Sequence, residues 1–151
     1  MKIDKKFAFI VVILFFIFLF FLIKNVNSPV INDIRYIKIA NQLIKVDLAI
    51  TQEEQKKGLS IKKILGENEG MLFVFPKLSI NNFWMKDMVF PIDIIWINED
   101  MKIIYIEKNV KIDTYPQIFG PKIYSKYVLE VNSGFSEKNN LKENDFVYFV
   151  F

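Results

Sequence analysis

Hydrophobic positions follow two different patterns along the chain. Residues 7–23 form one unbroken apolar run, whereas the apolar runs after residue 33 are short and are separated by Gly, Pro, Asn and Asp. Short apolar runs between turn-forming residues are typical of buried strands. The pattern therefore predicts a mostly β domain, a small compact barrel or sandwich with one or two short helices, preceded by an N-terminal transmembrane helix.

Strands are predicted throughout the domain. The most regular pair flanks the turn Asn98–Asp100 and is expected to form a β-hairpin. Loops are expected at Pro76–Ile80 and at Lys111–Lys126, where prolines occur. The predicted strands cover Ile34–Ala40, Leu43–Ile50, Met71–Phe75, Ile92–Asn98, Met101–Val110, Tyr127–Val131 and Phe146–Phe151.

Short helices are predicted between some of these strands. Thr51 and Glu54 have the spacing of a capping box, in which each side chain accepts a hydrogen bond from the backbone amide of the other residue. The helix that they begin is expected to end at Lys57, with Gly58 as its left-handed terminator. Further short turns of helix are predicted at Ile61–Leu65 and at Ser136–Asn140, the latter with Ser136 as its cap.

The apolar run at residues 7–23 has the length of a short membrane-spanning helix. Three lysines within the first six residues would keep its N-terminus in the cytoplasm. A cleaved secretory signal has a similar pattern, but no Ala-x-Ala-like cleavage site follows the run. We therefore predict a retained signal-anchor in residues 1–28, a linker in residues 29–33 and an extracytoplasmic domain in residues 34–151. The lipid bilayer is an expected partner, and the domain would be secreted if the segment were cleaved.

The composition removes several classes of chemistry. The chain has no Cys and no His, which excludes disulfides, catalytic thiols, imidazole bases and nearly every zinc site. We predict no metal site and no cofactor. The formal net charge is +3, but residues 1–28 hold four Lys and one Asp, so the remaining chain is neutral. A neutral domain lacks the basic patch that nucleic-acid binding requires, and we expect no nucleic-acid partner.

Polar side chains interrupt the most apolar part of the domain, residues 70–98. A charge within a buried strand has to reach water, pair with another charge or accept hydrogen bonds, because otherwise its burial is costly. A ligand site, if the chain has one, is therefore expected in this stretch. The candidate ligand-binding residues are Trp84, Lys86, Asp87, Asp93 and, from a later strand, Glu130.

The first three candidates also have structural explanations. Trp84 either stacks on a ligand at the rim of a barrel or packs in the core, which is where Phe83 and Met85 are expected. Lys86 and Asp87 either border a pocket or form an exposed turn with a weak ion pair.

The two buried-strand carboxylates are equally open to two explanations. Asp93 either contacts a ligand or pins the preceding loop through hydrogen bonds. Glu130 alternates with Leu129 and Val131 and so faces away from them, towards solvent or towards a pocket. Two neighbouring carboxylates could perform acid–base chemistry, but the sequence does not place Asp93 and Glu130 together.

Several blocks of residues share their order and spacing with the motifs of a known family. They are Gly58-Leu59, Gly70-Met71-Leu72-Phe73-Val74-Phe75, Phe83-Trp84-Met85-Lys86, Pro91-Ile92-Asp93-Ile94-Ile95 and Val128-Leu129-Glu130-Val131-Asn132. From about Ile39 to Phe151 the chain resembles domain-of-unknown-function family 192. The resemblance implies a small β-rich barrel, often behind a signal peptide or membrane anchor in bacteria and archaea. It implies no established activity.

Three functions are compatible with the sequence. The first is a membrane-tethered module that binds a small ligand or an envelope protein at a rim formed by Trp84, Lys86 and Asp93. The second is an envelope-associated hydrolase or lyase that uses Asp93 and Glu130. The third is a structural or assembly protein of the envelope, whose Lys111–Lys126 loop docks another membrane protein. We favour the binding module over an enzyme, because no recognised catalytic spacing is present.

Overall fold

The computed structural model describes residues 12–15 and 31–151. Residues 12–15 are helical, and within the described ranges no helix has the length and apolar character to cross a membrane. The other residues of the predicted transmembrane segment, 7–23, and the first two of the predicted linker lie outside the described residues. From Asn32 to Phe151 the chain forms one compact unit.

In this compact unit, seven strands form a single curled sheet. They are β1 Tyr36–Ile39, β2 Gln42–Ala49, β3 Glu69–Ser79, β4 Ile92–Ile97, β5 Ile103–Val110, β6 Ser125–Asn132 and β7 Val147–Val150. Their order is β5-β4-β6-β3-β2-β1-β7, and all neighbours are antiparallel except β2 and β3. Next to the two edge strands, Lys102 pairs with Phe146, so the sheet curls until its edges meet at one end. The predicted mostly β fold is thus confirmed as a half-barrel.

The first helix, α1 Gln52–Lys57, begins as the sequence predicts. The Glu54 amide donates to Thr51 Oγ1 over 3.3 Å, and the Thr51 amide donates to Glu54 Oε2 over 2.9 Å. Gly58 follows with φ 50° and ψ −144°, which is outside the left-handed helical region predicted for it as a terminator. The further turn predicted at Ile61–Leu65 is wrong, because a 3₁₀ turn at Gly58–Ile61 directly continues α1 and the chain then extends.

The second helix, α2 Phe135–Lys138, departs from its predicted cap. Gly134, with a φ of 85°, is the residue before the helix, and Ser136 lies inside it. The Ser136 amide instead donates to Asp93 Oδ2 over 2.8 Å. A carboxylate from a distant strand therefore performs the capping that a local serine was expected to provide.

The strand predictions lie within two residues of the observed bounds except at the end of β3, although β6 begins at Ser125, inside the predicted loop Lys111–Lys126. The hairpin of β4 and β5 is confirmed, but β3 continues through the predicted loop Pro76–Ile80 as far as Ser79. Pairing between β3 and β6 is interrupted after Val74 and resumes only where Ser79 meets Ser125. Pro76 lies within that gap, where its missing N–H costs no ladder hydrogen bond.

Apolar clusters cover both faces of the central strands. One cluster fills the inside of the curl and includes Ile95 and Leu129, and the other lies on the opposite face and includes Phe73, Trp96 and Val128. Since alternate residues of a strand face opposite sides, the central parts of β3, β4 and β6 carry apolar side chains on both faces. Asp93 on β4 and Glu130 on β6 lie in this two-sided apolar centre and are both buried, although they occupy opposite faces.

Candidate functional site

A cavity of about 260 Å³ opens on the outer face of the sheet, between α1, β3, β6 and the segment of residues 80–88. We call it the Glu130 cavity. Its lining includes the apolar side chains of Leu59, Phe73 and Phe83, and charged groups from three separate parts of the chain. Those groups are Lys56 and Lys57 from α1, Lys86 from the loop after β3, and Glu130 from β6.

Trp84 and Lys86 reach this cavity because residues 83–86 alternate between buried and exposed. Phe83 is held in place by two backbone hydrogen bonds of 2.8 Å with Phe119, and its ring meets Phe73 edge-on at 4.8 Å. Met85 is buried as well, so the predicted core positions of Phe83 and Met85 are confirmed. Trp84 is 43% exposed and lies with Lys86 on the cavity side of the loop.

Glu130 is the buried polar group of the cavity. Its cross-strand neighbours are Met71 on β3 and Ile94 on β4, and only 4% of its surface is exposed. Within the described chain its Oε2 atom has no hydrogen-bond partner. Burial raises the pKa of Glu130 to about 8, against a smaller lowering by a hydrogen bond from the Leu59 amide. At neutral pH the group is therefore mainly an uncharged carboxylic acid.

Gly58 leaves room beside this carboxyl group. A Cβ atom at position 58 would lie 3.2 Å from Cζ of Phe73 and 3.5 Å from Oε2 of Glu130. The positive φ of Gly58 also disfavours any residue with a side chain. Both its backbone conformation and its contact with the cavity thus favour glycine at this position.

Two of the lysines at the cavity are free of ion pairs. Among the described residues, Lys57 pairs with Glu53 over 2.7 Å, whereas no ion pair includes Lys56 or Lys86. Hydrogen bonding and charge attraction from Lys57 hold the pKa of Glu53 below its ordinary value. The cavity thus carries two exposed ammonium groups that form no ion pair among the described residues.

Asp87 lies beside the cavity and not in it. It lines an adjoining groove of about 470 Å³, which shares Lys56, Lys57, Trp84 and Lys86 with the Glu130 cavity. Asp87 has a φ of 61° and is exposed, as expected for a turn residue. Its side chain therefore borders the outer groove only.

Asp93 does not belong to this site. It is fully buried, and its carboxylate accepts hydrogen bonds from the amides of Asn109 (2.8 Å), Gly134 (3.1 Å) and Ser136 (2.8 Å). It lines neither the Glu130 cavity nor the adjoining groove. Asp93 thus pins other segments than the preceding loop named in the sequence analysis, namely the end of β5 and the start of α2.

The two carboxylates of the enzyme hypothesis do not meet. Asp93 is paired with Val131, and Glu130 is paired with Ile94, so the two acids occupy adjacent positions of the β4–β6 ladder. Adjacent positions point to opposite faces of a sheet. The hydrolase or lyase hypothesis therefore loses the carboxylate pair on which it was based, and the predicted rim of three residues is reduced to Trp84 and Lys86.

The sequence matches the model of one known protein family. The family model of DUF192, described as an uncharacterized ACR, matches residues 35–149. The chain belongs to DUF192. The suspected family is thereby confirmed over almost the whole domain.

Two crystal structures share the DUF192 fold seen here. A protein of unknown function from Novosphingobium aromaticivorans DSM 12444 is 29% identical with a TM-score of 0.71, over 80% of this chain and 89% of that chain. A protein from Sinorhizobium meliloti 1021, described as a candidate transcription regulator, is 25% identical with a TM-score of 0.70, over 76% of this chain and 90% of that chain. A search of curated proteins gives no significant match.

The sequence analysis did not identify the residues of α1 that line the Glu130 cavity. Lys56 and Lys57 end a helix whose capping box was recognised, and they directly precede Gly58-Leu59, one of the DUF192 blocks. Their position next to a motif block was a signal that could have drawn attention to them. Asn81 and Asn82 were missed too; both line the cavity, and Asn81 is tied to β6 through hydrogen bonds from its Nδ2 to Ser125.

Proposed function

We propose that this DUF192 protein is a membrane-tethered module that binds a small ligand in the Glu130 cavity. The observation that carries the proposal is the Oε2 atom of Glu130, which is buried at the cavity without a hydrogen-bond partner in the described chain. Leaving a buried polar atom unsatisfied costs about 1–3 kcal/mol, and a ligand that bonds to it would recover that free energy. Trp84 provides an exposed aromatic face beside the same cavity.

Two features favour a binding module over the other hypotheses. Glu130 is the one carboxylate among the described residues that line the cavity, so acid–base chemistry between two carboxylates has no second group there. The Lys111–Lys126 loop supports the cavity, because Phe119 bonds to Phe83 next to Trp84. Contact with Phe83 gives the loop a role in positioning the cavity. The hypothesis that the loop docks another membrane protein does not account for this contact.

The tether is proposed from the sequence. Residues 7–23 are apolar, lysines precede them, and the compact unit begins at Asn32. A helix of this kind would keep the N-terminus in the cytoplasm and place the cavity on the outer side of the membrane. The expected location is a single-pass position in the cell membrane.

Ligand binding is testable through the two tryptophans of the chain. Trp84 is 43% exposed at the cavity, whereas Trp96 is fully buried and donates from Nε1 to the Asn81 carbonyl over 2.7 Å. The full chain would be labelled with 5-fluorotryptophan in detergent micelles and screened with a fragment library by fluorine NMR. Trp84→Phe assigns the two signals.

A ligand of the cavity is expected to shift the Trp84 signal and to leave the Trp96 signal nearly unchanged. The double variant Trp84→Ala with Lys86→Ala should lose binding of the same ligands, measured from the ligand signals by saturation-transfer difference NMR, while circular dichroism stays native. The matched control is Tyr148→Ala with Lys108→Ala, an exposed aromatic and an exposed lysine away from the cavity. A library that never moves the Trp84 signal would overturn the proposal.

The tether has its own test. The full chain should sediment with membranes after expression and resist extraction by high salt, whereas a chain beginning at Asn32 should not. The side on which the domain lies can be determined by treating intact cells with a membrane-impermeant amine reagent. Peptide mapping should show a label on Lys86 if the domain is outside the cell, and the Lys86→Ala variant should lack that label. Recovery of the full chain in the membrane-free fraction would overturn the tether and leave the ligand proposal standing.

A further inference from the structure

We infer that the ligand of the Glu130 cavity is a small organic anion with an uncharged oxygen at its far end. Its acidic group would lie at the mouth of the cavity against Lys56 and Lys86, and its far oxygen would accept a hydrogen bond from Glu130. The inference rests on the proposed function and adds the chemical class of the ligand.

The inner end of the cavity presents a hydrogen-bond donor. A hydrogen bond from the Leu59 amide already reaches the Glu130 carboxyl group, and Oε2 is the oxygen that lacks a partner in the described chain. When the carboxyl group is protonated, its hydroxyl can donate to an oxygen acceptor of a ligand. Ketones, esters, amides and hydroxyls provide such an acceptor.

The surroundings of Glu130 disfavour a ligand charge at that depth. Leu59, Phe73 and Phe83 are buried apolar side chains of the lining, and Met71 and Ile94 flank Glu130 in the sheet. An ion moved into such surroundings loses its hydration without gaining a counter-charge. The far end of the ligand is therefore expected to be polar and uncharged.

The mouth of the cavity has the opposite preference. Lys56 and Lys86 are exposed and take part in no ion pair of the described chain, whereas Lys57 is held by Glu53. Asp87 and Glu53 line the adjoining groove, which Lys56 and Lys86 also line, but neither acid lines the cavity itself. Two unpaired ammonium groups favour an acidic group at the mouth, and their attraction weakens with added salt.

The size of the cavity limits the ligand. At about 260 Å³ it is slightly smaller than the roughly 300–1,000 Å³ of most ligand pockets, so a single substituted ring or a short chain is the scale that fits. The exposed face of Trp84 is suited to stacking on such a ring.

Three probes of similar shape separate these features. 4-Acetylbenzoate carries both the acid and the acceptor, 4-isopropylbenzoate lacks the acceptor, and 4-acetylbenzamide lacks the charge. Affinities would be measured with the full chain in micelles by fluorine NMR on Trp84. We expect 4-acetylbenzoate to bind at least about tenfold more tightly than each of the other two.

Variants of Glu130 connect the acceptor preference to this side chain. Glu130→Leu should make 4-acetylbenzoate and 4-isopropylbenzoate bind equally, because the donor is gone. Glu130→Gln should retain the preference, because its amide N–H₂ can also donate. In the native chain, affinity for 4-acetylbenzoate should fall as pH rises through about 8 and Glu130 deprotonates, and this fall should be absent in Glu130→Gln.

The predicted pH dependence of ligand affinity is attributed to Glu130 because the other charged groups around the cavity are lysines. The charged side chains that line the cavity with it are Lys56 and Lys57 from α1 and Lys86 from the following loop. The flanking strands β3 and β4 present Met71 and Ile94 beside it. A fall that persisted unchanged in Glu130→Gln would belong to the lysines and would overturn the role of Glu130 as donor.

The charge preference has a separate control. Lys56→Ala with Lys86→Ala should remove the preference for 4-acetylbenzoate over 4-acetylbenzamide, and Lys108→Ala with Lys142→Ala should not. Equal binding of all three probes to the native chain would overturn the inference, as would library hits that are neutral or cationic while the benzoate probes fail. In both outcomes the cavity still binds ligands, so the proposed function would survive, whereas a silent Trp84 signal would remove both.

Discussion

Asp93 and Glu130 occupy adjacent positions of one β-ladder and face opposite sides of the sheet. Both are buried, but their surroundings give them different roles. Three backbone amides satisfy Asp93, whereas Glu130 has one oxygen without a partner in the described chain and lines a cavity. The distinction between a structural and a binding carboxylate thus follows from what each one contacts.

The protonation of Glu130 predicts a pH dependence of stability. Its pKa is about 8 in the folded chain, above the ordinary 4.5, so between these values the folded state binds more protons than the unfolded state. The contribution of Glu130 to stability is therefore fully present below pH 4.5 and is lost as pH rises to about 8. The slope is at most about 1.4 kcal/mol per pH unit.

Glu130→Gln removes this contribution, because glutamine does not titrate. Urea unfolding at pH 5, 6.5 and 8 should show the variant gaining stability relative to the native chain as pH rises. A stability difference that stays constant over this range would contradict the buried, protonated state of Glu130.

Gly58→Ala should both destabilise the domain and narrow the cavity. The positive φ costs about 1–3 kcal/mol for alanine, and the added Cβ lies 3.2 Å from Phe73. Gly134→Ala is the matched control, since its φ of 85° is also positive but nothing lies within 4 Å of its added Cβ. Chemical unfolding should show a loss in both variants, and only Gly58→Ala should also weaken fragment binding at Trp84.

Asp93→Asn should destabilise the domain by about 2 kcal/mol or more. An asparagine replaces one carboxylate oxygen with an N–H₂ group, which opposes at least one of the amides of Asn109, Gly134 and Ser136. Asp100→Asn, in the exposed turn between β4 and β5, should change stability little. Ligand affinity of the folded Asp93→Asn chain should stay native; a selective loss of affinity would return Asp93 to the binding site.

Thr51→Ala tests the support of the cavity wall. Loss of the hydrogen bond from the Glu54 amide to Thr51 Oγ1 should cost about 1 kcal/mol and loosen α1, which carries Lys56. Thr51→Ser should retain most of that stability, because serine keeps the hydroxyl. Hydrogen exchange is expected to rise in α1 and not in the β4–β5 hairpin; an equal rise in both would show a global effect.

Local patterns were sufficient for much of this fold. The capping box at Thr51 and Glu54, the β4–β5 hairpin and the buried positions of Phe83 and Met85 depend on contacts between near neighbours or on side-chain chemistry alone. The same local alternation that buries Phe83 exposes Trp84 and Lys86 together. These features are therefore determined by short stretches of sequence.

The errors arose where distant segments compete with local preference. The Ser136 cap failed because Asp93, more than forty residues earlier in the chain, accepts the Ser136 amide. The prediction of a loop at Pro76 was wrong because a gap in the β3–β6 pairing accommodates a proline within a strand. Neither partner is recognisable from the residues next to the feature.

The sequence alone determined the family, the mostly β character and the region in which polar groups interrupt the apolar strands. Only the tertiary structure decided which of those polar groups act together, since register and the curl of the sheet set which side each residue faces. It placed Glu130 with Trp84, Lys86 and the lysines of α1, and Asp93 on the other face. Burial and hydrogen-bond satisfaction are properties of packed neighbours, and these neighbours come from segments far apart in the chain.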